Sequence, residues 1–540
     1  MRSAIRTGLL FSAAATLFSA AMAFKASACT TLYAGGNLTE EKTPFVARTE
    51  DYGWDMNKLW FISEAGQFKA GETYIGCPAY GAFEWPLTHD SYRFTYFTND
   101  VFNGKCPECG EEHPHHWSYT EFGTNEKGVS VSATETIYGN PEVKKIDPNV
   151  TEKVNGIVGI EETDIPAVLL AEADSARAGV ALLGRIYSTY GAYADSGLFI
   201  CDKNEVWYIE NCSGSQYIAV KLNNDMLLLE PNIAIIGEID LDDHEQVIAS
   251  DRLIQTARDA GTFVGNEAEN IINYRASYAL LERQKEPGIP STPLVGAPRM
   301  VDGLAYLNQD YRYTDAALHA DNSVFTVSNL RDGSIVPLYT NIRADRVLRR
   351  DDVFNFYKLS SVGKPSNQEI EIFQLFQDPA LETKYSTIGW VALGNMSYNV
   401  FVPYYPMLID DMYAGYQVSM PVATKSDQKP DSFCTWRDKD SQYVRYPDHW
   451  RDSYYFSFEG LGGYIRNAEL LGGAPLSEEQ RDHVSTELQK LQNTFYADLV
   501  TVKQLRAAGT AERTLATENG RSMAQRAHQK ALELIDSLTR

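Results

Sequence analysis

Long apolar runs are nearly missing from this chain. Apart from Gly8 to Ala23, no stretch approaches the roughly 20 apolar residues that a membrane-spanning helix needs, so nothing beyond the N-terminus reads as an anchor. Basic charge is scarce as well: 48 Lys and Arg stand against 72 Asp and Glu, a formal net charge of -24. That balance disfavours nucleic acid and anionic membranes as partners. The chain has no repeat with a period of about 20–50 residues and no low-complexity tract, which excludes solenoids and disordered linkers. Cysteine is sparse and odd in number, seven in 540 residues: Cys29, Cys77, Cys106, Cys109, Cys201, Cys212 and Cys434. If six pair in an exported chain, one remains a thiol, but spacing alone does not give the pairing. What the chain does have is 44% hydrophobic and 12% aromatic residues, enough for one large core or two ordinary ones.

The odd cysteine sits at a processing signal. Arg2 and Arg6 precede the apolar run, and Ala26-Ser27-Ala28 has the small-x-small pattern of a signal-peptidase site, so residues 1–28 read as an export signal. Removing them takes away Arg2, Arg6 and Lys25, leaving 45 basic against 72 acidic residues, a net charge of -27. Ala21-Met22-Ala23 fits the same rule and would leave 24–28 as a short propeptide; a third reading is lipid modification of Cys29. With Cys29 as first residue, one amino acid carries a thiol and a free α-amine. At a reference pKa of roughly 7.7–8 the amine can take the thiol proton near neutral pH.

Thr30 to Tyr33 and Phe45 to Arg48 are β-prone, and Ala34-Gly35-Gly36-Asn37 between them is a turn signal, so the spacing predicts a hairpin. Its return strand brings Arg48 and Asp51 back beside Cys29. There a guanidinium lowers the thiol's pKa and a carboxylate holds the α-ammonium. The competing reading is a solvated, charged strand end.

Three motifs, Cys29-Thr30-Thr31, Ala47-Arg48-Thr49-Glu50-Asp51 and Asn125-Glu126-Lys127-Gly128-Val129, resemble the opening of the cysteine-nucleophile dipeptidases of the N-terminal-nucleophile (Ntn) superfamily. Those are relatives of bile-salt hydrolases and penicillin V acylases. The resemblance continues through Gly159 to Asp164, Val206 to Glu210, Pro231-Asn232-Ile233, Gly237 to Asp240, Gly389 to Gly394 and Val402 to Tyr405, and runs to about Tyr416.

The resemblance implies an α+β fold, a four-layer αββα sandwich over residues 29–470. The residue patterns agree, with short β-rich runs at 129–136, 197–201, 206–210, 217–221 and 226–229 and helical spacing at 166–173, 176–187, 244–260 and 267–282. Residues 471–540 read as a C-terminal helical hairpin: Ser477-Glu478-Glu479-Gln480 is a capping box, an apolar face runs from Val484 to Leu505, and a second helix covers 521–538. This hairpin packs on the main domain or on another copy of the chain.

The resemblance also implies roles. Asn232 matches the family asparagine that donates to the oxyanion, and Arg299 resembles a late active-site arginine; a turn Asn and a surface Arg are the bland alternatives. Glu135 stands where the acylase relatives have an asparagine. An ionised carboxylate cannot donate, so Glu135 suits the ammonium of a peptide's free N-terminus. A separate cluster, Cys106, Cys109, His113, His115 and His116, has zinc-like spacing with a local disulfide as the rival reading.

The expectation is an exported, periplasmic or secreted dipeptidase acting on small peptides without a cofactor. The alternatives are an N-acyl amide hydrolase and a non-enzymatic binding protein or lipoprotein.

Overall fold

β-branched and aromatic residues crowd the runs that form strands, and in the computed structural model these strands build two large antiparallel sheets. The described residues are 29–51, 55–100, 120–132, 135–280, 297–309, 311–313, 326–329, 335–337, 342–364, 366–420, 424–425, 435–437, 443–446, 449–467 and 475–539. The expected signal (1–28) and the Cys106, Cys109, His113, His115, His116 cluster lie outside them.

The first sheet runs in the order Leu227–Glu230, Thr30–Ala34, Phe45–Asp51, Asn367–Leu375, Thr387–Leu393, Val402–Tyr404. Every residue of Phe45–Asp51 and of Asn367–Leu375 is buried, so both faces of this sheet are covered. The second sheet runs Val247–Ala249, Tyr217–Lys221, Val206–Asn211, Ser196–Cys201, Ser130–Ser132, Thr120–Asn125, Phe94–Asn99, Lys58–Ser63, and Glu135–Thr136 also pairs with Ser196–Cys201.

The period of two along each strand decides what each side chain meets. On Val206–Asn211, Val206 and Tyr208 join the core that holds Val46 and Phe373 of the first sheet. Trp207 and Ile209 face the other way, into a core with the helices Ile165–Glu172 and Ala176–Tyr190. Phe122 of the second sheet meets Phe373 of the first edge to face, 6.4 Å between centroids.

On its far side the first sheet carries Arg350–Phe356, whose Phe354 lies 5.3 Å from Trp390, and Ala297–Leu307. A Cβ on Gly303 of the latter would lie 2.8 Å from both Leu229 and Phe356. Glycine is what lets this helix approach the sheet so closely.

Some local expectations give way to long-range pairing. The helix expected over 244–260 is shortened to Leu253–Asp259, because Val247–Ala249 pairs with the edge strand Tyr217–Lys221. Of the helix expected over 267–282, the described residues 267–280 are α-helical at Tyr274–Tyr278 alone, since Ile271–Asn273 pairs with Glu238–Asp240 and Gly265–Asn266. Strand pairing here satisfies backbone groups of the neighbouring strand's edge, and β-branched residues favour the extended conformation it needs.

At the C-terminus the Ser477 capping box is present, but the first helix stops at Asp498. Leu499 turns extended, and Thr501 caps a separate short helix, Val502–Ala508. The last helix begins at Glu512, nine residues before Arg521, and runs to Leu538. These helices lie on the main body: Gln492 accepts from the Phe401 amide at 2.7 Å and donates to its carbonyl at 3.0 Å. Among the described residues no helix is long and apolar enough to cross a membrane.

Candidate active site

Antiparallel pairing sets Thr30 opposite Thr49 and Thr31 opposite Arg48. Alternation then turns Arg48 to the same face as Cys29, one residue before Thr30. Arg48 Nη2 donates to Cys29 Sγ at 3.5 Å, and the Asp51 backbone N–H donates to it at the same distance. Both donors favour negative charge on the sulfur. Cys29 itself is buried.

A register shift between Glu50 and Asp51 places Asp51 opposite Asn367. Asn367 Nδ2 donates to the Asp51 carboxylate, and Lys364 Nζ lies 3.5 Å from its other oxygen. Burial pushes the Asp51 carboxyl up to about 6, against the pull of Lys364 and Arg299. Burial likewise holds the Lys364 ammonium below its ordinary value, partly offset by Asp51.

Arg299 reaches in from the helix Ala297–Leu307 and ties the chain ends of two strands together. Its Nη1 donates to the Cys29 carbonyl and to Thr30 Oγ1 (2.8 Å), and its Nη2 to the Pro231 carbonyl and Asn232 Oδ1, both at 2.9 Å. Asn232 follows Pro231 with φ +62, a left-handed conformation that Asn tolerates. Its Nδ2 donates to the Thr136 carbonyl at 2.9 Å, so the amide is held at both ends. Thr136 belongs to the short strand that carries Glu135; the Glu135 side chain lies outside the described residues.

The structure thus brings Arg48, the Asp51 amide, Arg299 and, through Arg299, Asn232 to Cys29. Lys364 and Asn367 were not among the sequence candidates. They are more than 300 residues from Cys29 in the chain, and only the pairing of 45–51 with 367–375 reveals them.

Beneath Arg48 lies a second group that the sequence reading did not single out. Arg48 is within 4.0 Å of Glu121, Glu369 and Glu371, all buried. Lys58 contacts Glu50 and Asn99 and lies 2.9 Å from Glu121. Burial works against the Lys58 ammonium, but Glu121, Glu50 and Glu369 outweigh it and push its pKa up. Burial raises Glu121 and Glu369. The carboxylates of Glu50, Glu121 and Glu369 converge closely enough to bind a metal ion, yet Lys58 already places a cation among them. A signal existed: Arg48-x-Glu50 and Glu369-x-Glu371 each put two charges on one face of a strand otherwise fit for burial.

Comparison with known proteins adds an independent line. Residues 28–287 match the model of Peptidase family C69, a cysteine peptidase family. Over that span, just under half of its length, the chain resembles peptidase family C69. A "Probable dipeptidase B" of Streptococcus pyogenes serotype M6 is 28% identical over 429 residues, 76% of this chain and 77% of the relative. A "Probable dipeptidase" of Salmonella dublin is 32% identical over 248 residues, 44% and 51% of the two chains. A "Probable dipeptidase B" of Lactococcus lactis subsp. lactis is 25% identical over 410 residues, 72% and 76% of the two.

A C69 peptidase needs a reactive thiol. Burial pushes the Cys201 and Cys212 thiols well above their ordinary range, which suits inert core cysteines. Cys29 is the described cysteine whose sulfur accepts from a guanidinium.

Proposed function

We propose that this protein is an exported dipeptidase of the Ntn type, in which Cys29 becomes the first residue and acts as nucleophile. The observation that carries the reading is the pair of donors on Cys29 Sγ, Arg48 and the Asp51 amide, in a chain whose relatives are named dipeptidases. Export is supported by the Arg2, Arg6 and Ala26-Ser27-Ala28 pattern. The packing of two antiparallel sheets against each other, with helices on their outer faces, supports the four-layer αββα reading.

In the proposed mechanism the α-amine of Cys29 takes the thiol proton and the thiolate attacks the scissile carbonyl. The tetrahedral oxyanion is held by the Asn232 amide and backbone N–H groups. The α-ammonium then gives its proton to the leaving amine, the C–N bond breaks, and a thioester remains on Cys29. Water, deprotonated by the same amine, attacks that thioester and restores the thiol. Arg48 stabilises charge on sulfur, and Asp51 orients the ammonium. Arg299 fixes the Cys29 carbonyl and Asn232, while Glu135 receives the substrate's N-terminal ammonium.

The test is Cys29→Ala assayed on free dipeptides and on their N-acetylated forms. Turnover should fall to background while circular dichroism and the unfolding midpoint stay near parent, because a thiol at a strand end contributes little core. The parent should prefer the free amine. Comparable cleavage by the alanine variant would overturn the nucleophile assignment, and faster cleavage of acylated substrates by the parent would favour the N-acyl amide hydrolase reading.

A further inference from the structure

Three cations act on the groups around Cys29, and they differ in what is left of their charge. Arg48 is buried, donates to the sulfur and faces Glu121, Glu369 and Glu371. Arg299 is buried too, with its two terminal nitrogens on four acceptors. Among the described residues Lys364 has one ion-pair partner, Asp51, at 3.5 Å, and its side chain keeps 28% of its surface open where Asp51 keeps 1%. Asp51 in turn donates its backbone N–H to Cys29 Sγ at 3.5 Å, so Lys364 is separated from the nucleophile by one residue.

A dipeptide is distinguished from every longer peptide by where its carboxylate lies. The leaving amino acid carries a negative charge one residue, roughly 3.5 Å of chain, beyond the scissile nitrogen; a longer peptide has a neutral amide there. A partly open cation near the nucleophile, paired among the described residues with one carboxylate, can tell the two apart. We infer that Lys364 receives the C-terminal carboxylate of the substrate's leaving residue and thereby restricts the enzyme to dipeptides. This rests on the dipeptidase reading above and adds the group that sets substrate length. When the carboxylate arrives, the Lys364 ammonium bridges it and Asp51, two anions on one cation, which compensates a charge that burial otherwise disfavours. Lys364 is a specificity residue in this scheme and takes part in no proton transfer.

The experiment compares a dipeptide with its C-terminal amide on the parent, Lys364→Gln and Lys364→Arg. The parent should favour the free acid roughly ten- to a hundred-fold in kcat/KM, the range of a hydrogen bond to a charged group, with most of the difference in KM. Lys364→Gln should lose that preference by slowing on the acid while the amide changes far less; Lys364→Arg should keep most of it. An equal fall on both substrates in Lys364→Gln would mean that Lys364 only positions Asp51, and would overturn the inference. So would a parent that cleaves acid and amide equally well. A parent that cleaves neither would instead overturn the dipeptidase reading itself, so the two failures are distinct.

Discussion

Asp51 has two parts in contact with the site, and they act differently. Its backbone N–H holds the Cys29 sulfur, a role set by the strand, whereas its carboxyl is a buried acid whose pKa is raised to about 6. A raised carboxyl favours the folded state while it is protonated in both states, at low pH. Above the ordinary value of 3.8 the unfolded chain ionises first, and stability is lost until pH passes about 6. The full loss is about 3 kcal/mol, from 1.36 kcal/mol for each pKa unit. Asp51→Asn removes this titration and keeps the backbone donor. The unfolding free energy of the parent should therefore fall by about 2 kcal/mol relative to Asp51→Asn between about pH 4.5 and pH 7.5, by urea denaturation. Parallel pH curves for the two proteins would show that Asp51 is compensated in the folded state and not raised.

Strands decide the next level, because the two sheets meet through charge as well as apolar packing. Arg48 and Glu50 project from one strand of the first sheet, Glu369 and Glu371 stand opposite them on its neighbour, and Lys58, Asn99 and Glu121 come from three strands of the second. The Lys58–Glu50 and Arg48–Glu121 contacts cross the gap between the sheets. Removing one partner of a buried pair leaves an uncompensated charge, a loss of roughly 3–5 kcal/mol. Lys58→Met should show a loss of that order in denaturant unfolding, and adding Glu121→Gln should recover part of it. A single variant as stable as the parent would mean the carboxyls are already neutral.

How much of this was legible follows from range in sequence. Cys29, Arg48 and Asp51 lie within one hairpin, so period-two alternation and a turn signal suffice to bring them together. Asn125 was legible only as a motif; in the fold its side chain accepts from the Lys127 and Val129 amides and donates to the Leu170 and Ala173 carbonyls, pinning a turn to a helix. Lys364, Asn367 and the Glu369–Glu371 pair depend on a strand pairing across more than 300 residues, which no local pattern encodes. The helix expected over 244–260 failed for the same reason, since a distant edge strand claimed Val247–Ala249.

For the molecule as a whole, the proposed chemistry ties activity to maturation. While Cys29 is still joined to Ala28, its nitrogen is an amide, with no lone pair available to take a proton near neutral pH, and the thiol lacks its base. Arg48 and the Asp51 backbone amide, which both donate to the Cys29 sulfur, give protons rather than accept them. A chain retaining residues 1–28 should therefore be folded but inactive, and cleavage after Ala28 should switch it on. Intact mass and N-terminal sequencing of exported protein should give a chain starting at Cys29 with an unmodified amine. Protein kept from export and carrying residues 1–28 should show less than about one hundredth of that activity, given the 10²–10⁴-fold that a positioned general base contributes. Treating it with a protease that exposes Cys29 should restore the rate in proportion to the fraction cleaved. Full activity in the uncleaved chain, or in a form lipid-modified at Cys29, would remove the α-amine from the mechanism.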